Sequence, residues 1–169
     1  MGSARSRPSP RDRGAAAVEF ALVVPLLLVL MFGIVDYGLW FGDSLNIRQG
    51  VDEAARRAVV KDFGECDSGT DTEKVDCLVD QRVGSLAGTV YVNVSLSGPG
   101  SATNQWRKGA DLLVCAMVKV NGLTGLTPMP NDGILSTKVH KRVETKDPAA
   151  PASPHVDAPP PGATWAWCT

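Results

Sequence analysis

Residues 14–41 read GAAAVEFALVVPLLLVLMFGIVDYGLWF. No charged residue stands between Phe20 and Val35, and over the 27 positions from Ala15 to Phe41 only Glu19 and Asp36 interrupt the apolar run. At ~1.5 Å per helical residue such a stretch is roughly 40 Å long, more than the ~30 Å hydrocarbon core of a bilayer. It reads as one transmembrane helix over residues 15–42. Tyr37, Trp40 and Phe41 lie at its far end, where aromatic side chains favour the membrane interface.

The flanking charges give the direction. Arg5, Arg7, Arg11 and Arg13 precede the apolar run, with Asp12 opposing them. By the positive-inside rule the N-terminus is cytoplasmic and the chain beyond residue 42 is extracytoplasmic. These expectations describe a single-pass cell-membrane protein. A cleaved secretory signal is the competing reading. It needs an apolar core of about 7–15 residues and a following small-x-small site. The run here is longer, and Gly33-Ile34-Val35 and Tyr37-Gly38-Leu39 are poor cleavage sites. Within the span, Glu19 is costly and calls for a partner, unless it sits at headgroup level and stabilises a helix N-terminus. Pro25 removes one helical hydrogen bond and predicts a bend near residues 21–25. Gly33 and Gly38 offer small surfaces for close helix contact.

The combination Arg13-Gly14-Ala15-Ala16-Ala17-Val18-Glu19-Phe20, with Pro25, a Leu-rich run and Asp36-Tyr37-Gly38, resembles the TadE-like proteins. These are pseudopilins of the tight-adherence (Flp-type, type IVb-like) pilus system, which serves cell adhesion. The close resemblance covers roughly residues 13–60, including Ala54-Ala55-Arg56-Arg57-Ala58. It implies cleavage by a prepilin peptidase between Gly14 and Ala15, with Glu19 and Phe20 in the recognition motif. Residues 1–14 would then be a leader. They carry four arginines and one aspartate, so their loss moves the formal net charge from −1 to −4. Glu19 would become mature residue 5, able to pair in the membrane with the α-amine of a neighbouring subunit's Ala15. A major Flp pilin is short, so a domain of this size favours a minor or assembly component. The implied partners are the membrane, prepilin peptidase, other pilins or pseudopilins and the pilus assembly platform. The alternative is a membrane-anchored exported binding module that never enters a filament.

The exported part, residues 43–145, reads as α+β. Ile47, Val51, Ala54, Ala55, Ala58 and Val59 recur at helical spacing over 44–62, so the membrane helix continues outward as an amphipathic one. A fresh start capped by Asp43 or Ser44 is the variant if it breaks. A second helix is expected from Thr72 to about Gly84, with Leu78, Val79 and Val83 inward. Strands are expected at Thr89–Ser97, Asp111–Val120 and Ile134–Glu144. The first and last alternate, while the middle one is continuously apolar as a central strand would be. Gly98-Pro99-Gly100 and Pro128-Met129-Pro130 end regular structure between them. An antiparallel sheet carrying the long helix on one face fits these elements.

Four cysteines lie beyond the membrane segment and none forms a Cys-x-x-Cys pair. That suits disulfides in an oxidising compartment better than zinc. Four cysteines allow three pairings. A Cys66–Cys77 bond would close a short loop between the helices, and Cys168 is expected to return to Cys115. The tail, residues 146–169, is rich in Pro and Ala and reads as an extended segment.

Enzyme signatures are missing: there is no Walker loop, no Gly-x-Ser-x-Gly and no His-Glu-x-x-His. The reading is therefore of a non-enzyme without catalytic residues, cofactor or metal, and near-neutral charge gives no reason to expect nucleic acid. Asp67, Asp71, Glu73 and Asp76 form an acidic patch without EF-hand spacing, read as solvated surface. His140 and His155 are read as part of a charged strand face and a solvated tail.

Overall fold

The computed structural model describes residues 10–83, 88–98, 105–122, 125, 128–144 and 150–169. Most of the basic N-terminal segment, Gly84, Pro99-Gly100 and Pro148 lie outside the described residues. Helix α1 runs Pro10–Ala58 without a break, so no new cap forms at Asp43 or Ser44. Pro25 stands inside this continuous helix. Helix α2 covers Asp71–Val83, and the strands are β1 Gly88–Ser97, β2 Gln105–Trp106, β3 Asp111–Val120, β4 Ile134–Arg142, β5 Ala150–Pro151 and β6 His155–Val156. The fold is α+β: two helices on an antiparallel sheet ordered β4-β3-β1-β6, with β2 and β5 paired separately.

The outer end of α1 packs as its spacing dictates. Ile47, Val51, Ala54, Ala55, Ala58 and Val59 are all buried, facing β3, β4 and α2. Each larger aliphatic side chain so buried contributes about 1.5–3 kcal/mol relative to exposure. The alanines let the helix lie close to its neighbours. At Gly50 the fit with α2 is tighter still, since a Cβ there would lie 2.6 Å from Val83 Cγ2 and 3.2 Å from the Arg82 carbonyl oxygen.

Helix α2 starts with a reciprocal cap. The Thr70 N–H donates to Glu73 Oε2 at 2.7 Å, and the Glu73 N–H donates to Thr70 Oγ1 at 3.4 Å. Two amides that the helix itself leaves unpaired are thereby satisfied. Thr72, Val75, Leu78, Val79 and Val83 form the buried face. The Cys66–Cys77 disulfide, with Cα atoms 5.7 Å apart, staples α2 to the segment that leaves α1.

Strand β3 is central, with β1 on one side and β4 on the other. Its side chains alternate between two faces. Leu112, Val114, Ala116, Val118 and Val120 join the core beneath the helices, along with Val92, Val94 and Leu96 of β1. Cys115 and Met117 point the opposite way yet are equally buried. The C-terminal tail covers that second face. Cys168 bonds Cys115 across a Cα separation of 6.0 Å, and Lys138 Nζ donates to the Trp167 and Thr169 carbonyl oxygens at 3.2 and 2.9 Å. Before reaching there, the tail adds β6 to the free edge of β1 through Asn93–Val156 and Val94–His155 pairs. The Pro- and Ala-rich composition thus encodes an extended strap. His155 accordingly lies against α2 and not in a solvated tail, because β6 pairing draws it in.

Candidate functional site

From Gly14 to Val35 the side chains of α1 are exposed nearly all round: Phe20 is 70 % exposed, Leu22 75 % and Ile34 75 %. No part of its most apolar window is covered by the protein. In water this surface would be heavily unfavourable, and a large uncovered apolar surface marks a place for a membrane or a partner. At ~1.5 Å per residue, 14–35 is roughly 33 Å long, matching a ~30 Å hydrocarbon core. The stretch is continuous helix, the form whose backbone bonds close within the segment as a lipid environment requires, and Pro25 is its one residue without an N–H to give. Among the described residues this is the one helix long and apolar enough to cross a membrane. The features describe a single-pass membrane protein.

The residues singled out from sequence are strung along this helix and converge on no pocket. Gly14, Ala15, Glu19 and Phe20 are all exposed in its first turns. Glu19 forms no hydrogen bond or ion pair among the described residues, and it lies one turn, ~6 Å, beyond Ala15. A Cβ built on Gly14 meets nothing within 4 Å. Glycine inside a helix costs ~1 kcal/mol relative to alanine, and no close contact within the chain offsets that cost here. Pro25 is exposed and Gly33 half-buried. Gly38 and Gly42, four residues apart on the helix, also face open space. This second small-residue pair was legible in the sequence as Gly-x-x-x-Gly and was missed in favour of Gly33 and Gly38.

The C-terminal domain takes hold of α1 at Asp36. Its side chain is buried and partnered, close to Gly122 in the segment after β3. The next residue, Tyr37, donates its hydroxyl to the Pro128 carbonyl oxygen at 2.9 Å. Trp40 packs against the core. A second interruption of the apolar run is therefore explained by cover from the chain itself. Sequence reading missed this, since the covering segment lies some 90 residues away (|i−j| = 91 for the Tyr37 bond).

The acidic patch of α2 divides into parts with different fates. Asp67 and Asp71 pair with Lys74 Nζ at 2.7 and 3.9 Å, and Asp71 also pairs with Lys61 at 3.2 Å. Glu73 serves the helix cap, and its contacts with Thr70 hold its carboxyl below the ordinary range. Asp76 turns elsewhere. It faces His155 and Asp157 of the tail. Burial pushes its carboxyl up to about 6, with Asp157, Asp80 and Glu73 acting in the same sense and His155 against. Asp80, one turn on, is raised by burial and by Asp157.

Comparison with known proteins bears on the first of these regions. A family model described as TadE-like protein matches residues 14–56. The match begins at Gly14 and ends inside the buried stripe of α1, so it spans the exposed apolar stretch and the part of the helix that enters the C-terminal domain. The similarity to TadE-like proteins is thus confined to the N-terminal helix, the part of the chain long and apolar enough to cross a membrane. No curated protein and no solved structure matches the chain.

Proposed function

We propose that this chain is a minor pseudopilin or assembly component of a tight-adherence pilus, cut by prepilin peptidase after Gly14. On this reading residues 1–14 are a cytoplasmic leader, 15–42 span the membrane with 36–42 at its outer interface, and 43–145 with the tail 146–169 lie outside the cytoplasm. Its partners are the peptidase, other pilins or pseudopilins and the assembly platform. Its role is structural, through packing and not through catalysis.

The observation that carries the proposal is Glu19, without a partner among the described residues, on a helix exposed nearly all round. A carboxylate in hydrocarbon is expensive unless neutralised. A cut after Gly14 creates an α-ammonium group at Ala15, one helical turn away. In a bundle of such helices, Glu19 of one subunit can pair with Ala15 of the next, which offsets the burial of both charges and favours one axial register. The open surfaces at Gly38 and Gly42 suit close approach of neighbouring helices.

Two measurements test this. Intact mass of the membrane form should show a chain beginning at Ala15, with or without N-methylation; a membrane form that retains the residues before Gly14 overturns the proposal. Glu19→Ala should still insert and still carry its folded exported domain, yet fail to co-assemble with pilin partners in crosslinking. Unchanged co-assembly would refute the pairing role of Glu19.

A further inference from the structure

Three side chains meet where the tail passes over α2. His155 Nε2 lies 3.5 Å from Asp76 Oδ2 and 3.3 Å from Asp157 Oδ1. One ligand atom from each of the three falls within 4.8 Å of the others. The side chains are largely shielded, with 24 %, 26 % and 34 % exposure for His155, Asp76 and Asp157. His155 Nε2 itself is fully enclosed and makes no hydrogen bond. It is thus a buried nitrogen aimed at two carboxylates, but at distances longer than the 2.7–2.9 Å of a charge-assisted hydrogen bond.

Those distances have a simple chemical meaning. Around a tetrahedral ion with bonds of about 2.0–2.1 Å to imidazole nitrogen and carboxylate oxygen, neighbouring ligand atoms are about 3.3 Å apart. The two distances from His155 agree with such an edge. The ligands are also held from behind, as metal ligands usually are. Asp157 Oδ2 accepts the Val92 N–H at 2.8 Å. The Asp157 N–H donates to the Val92 carbonyl oxygen at 3.0 Å, and the Asp157 carbonyl oxygen accepts from Trp165 Nε1 at 2.9 Å. His155 and Asp157 lie two apart on extended chain and so share a face, while Asp76 comes from the middle of α2.

Charge adds a separate reason. Asp76 and Asp157 are joined by Asp80 and Glu73 in acting on this spot. One imidazole cannot balance them. The nearby Lys74 is committed to Asp67 and Asp71.

We propose that Asp76, His155 and Asp157 bind one divalent ion of zinc type, clipping the C-terminal strap to α2. The mixed nitrogen and carboxylate donors favour zinc or a similar transition ion over calcium or magnesium, which take oxygen ligands. Three protein ligands leave a fourth position for water or for Asp80. The inference is independent of leader cleavage or pilus assembly.

The test uses the full chain in detergent micelles, stripped with EDTA, dialysed and kept oxidised. Zn²⁺ titrated against a chromogenic chelator should bind with one equivalent. His155→Gln and Asp76→Asn should each weaken binding about tenfold or more, while His140→Gln should leave it unchanged. Location is read without any variant by NMR. Co²⁺ should broaden the ring-proton signals of His155 and leave those of His140 sharp. Absence of saturable Zn²⁺ binding overturns the proposal and leaves His155 as the ion-pair partner of the two carboxylates. Binding of one equivalent with His155 signals unaffected by Co²⁺ overturns it equally.

Discussion

Removing the Cys115–Cys168 bond should cost the C-terminal domain more stability than removing the Cys66–Cys77 bond. The bond closes a loop with a sequence separation of 53, and loop-closure entropy for that length is worth about 4 kcal/mol. The same argument gives about 3 kcal/mol for Cys66–Cys77, whose separation is 11. Single domains have only ~5–15 kcal/mol in all, so either loss is large. The packing around the first bond points the same way. Cys115 and Met117 are buried on the face that the strap covers, and without the bond the strap is held there mainly by the Lys138 contacts to its last residues. The perturbation is Cys115→Ala with Cys168→Ala, which leaves no unpaired thiol. The assay is urea unfolding of the oxidised full chain in micelles, followed by tryptophan fluorescence, since Trp106 is fully buried in the core. With a urea slope of ~2 kcal/mol/M, the midpoint should fall by about 2 M. A loss below ~1 kcal/mol, or a greater loss on removing Cys66–Cys77, would refute the reasoning.

Four further outcomes are expected. Gly50→Ala places a methyl group against Val83 and the Arg82 backbone; overpacking of ~1–3 kcal/mol should outweigh the ~1 kcal/mol helix gain and lower the midpoint of thermal unfolding. Thr70→Ala removes the hydroxyl of the α2 cap and should cost about 1 kcal/mol in the same urea assay. The lowered carboxyl of Glu73 contributes stability that is fully present above its unfolded value near 4.5 and is lost as pH falls through its lower folded value; Glu73→Gln should flatten that acid limb in stability measured from pH 6 to pH 3. Gly14→Ala meets no neighbour, so unfolding and membrane insertion should match wild type, while mass spectrometry should show leader cleavage abolished if the glycine serves the peptidase.

The parts of this fold legible in the sequence are those in which a period repeats. The stripe from Ile47 to Val59 and the alternation of Val90, Val92, Val94 and Leu96 predicted buried faces, and these faces are buried except at Val90, which is half-buried against the core. The continuous apolar run of Asp111–Val120 predicted a central strand, and β3 has those bounds. Its second cover came from the strap, whose β5 and β6 are two residues each, too short for any period to register. Proline-rich composition suggested extension but carried no signal for what the chain would lie against. His155 and Asp76 are far apart in sequence and meet only because β6 pairs with β1 beside α2. Asp36 was visible as an interruption, yet its cover is supplied by the segment around Gly122, which no local pattern connects to the helix.

The continuity of α1 has a consequence for how the two halves of the molecule act on each other. Residues 14–35 are exposed nearly all round and apolar but for Glu19, whereas from Ile47 outward one face is buried in the core. A flexible joint near Gly42 would make the first half a tether, and contacts made in the membrane would leave the C-terminal domain free to turn. No such joint occurs, because the helix runs unbroken through Gly42. The domain also grips the helix below that point, at Asp36 and through the Tyr37 bond to Pro128. Rotating or sliding the membrane half by one residue, ~100° and ~1.5 Å, therefore carries the sheet with it or breaks those contacts. Under the proposed pairing, axial register set by Glu19 in a bundle of helices would accordingly fix the height and facing of every C-terminal domain. A tethered binding module gains nothing from such coupling, while a subunit that must present its domain in one orientation within an assembly depends on it.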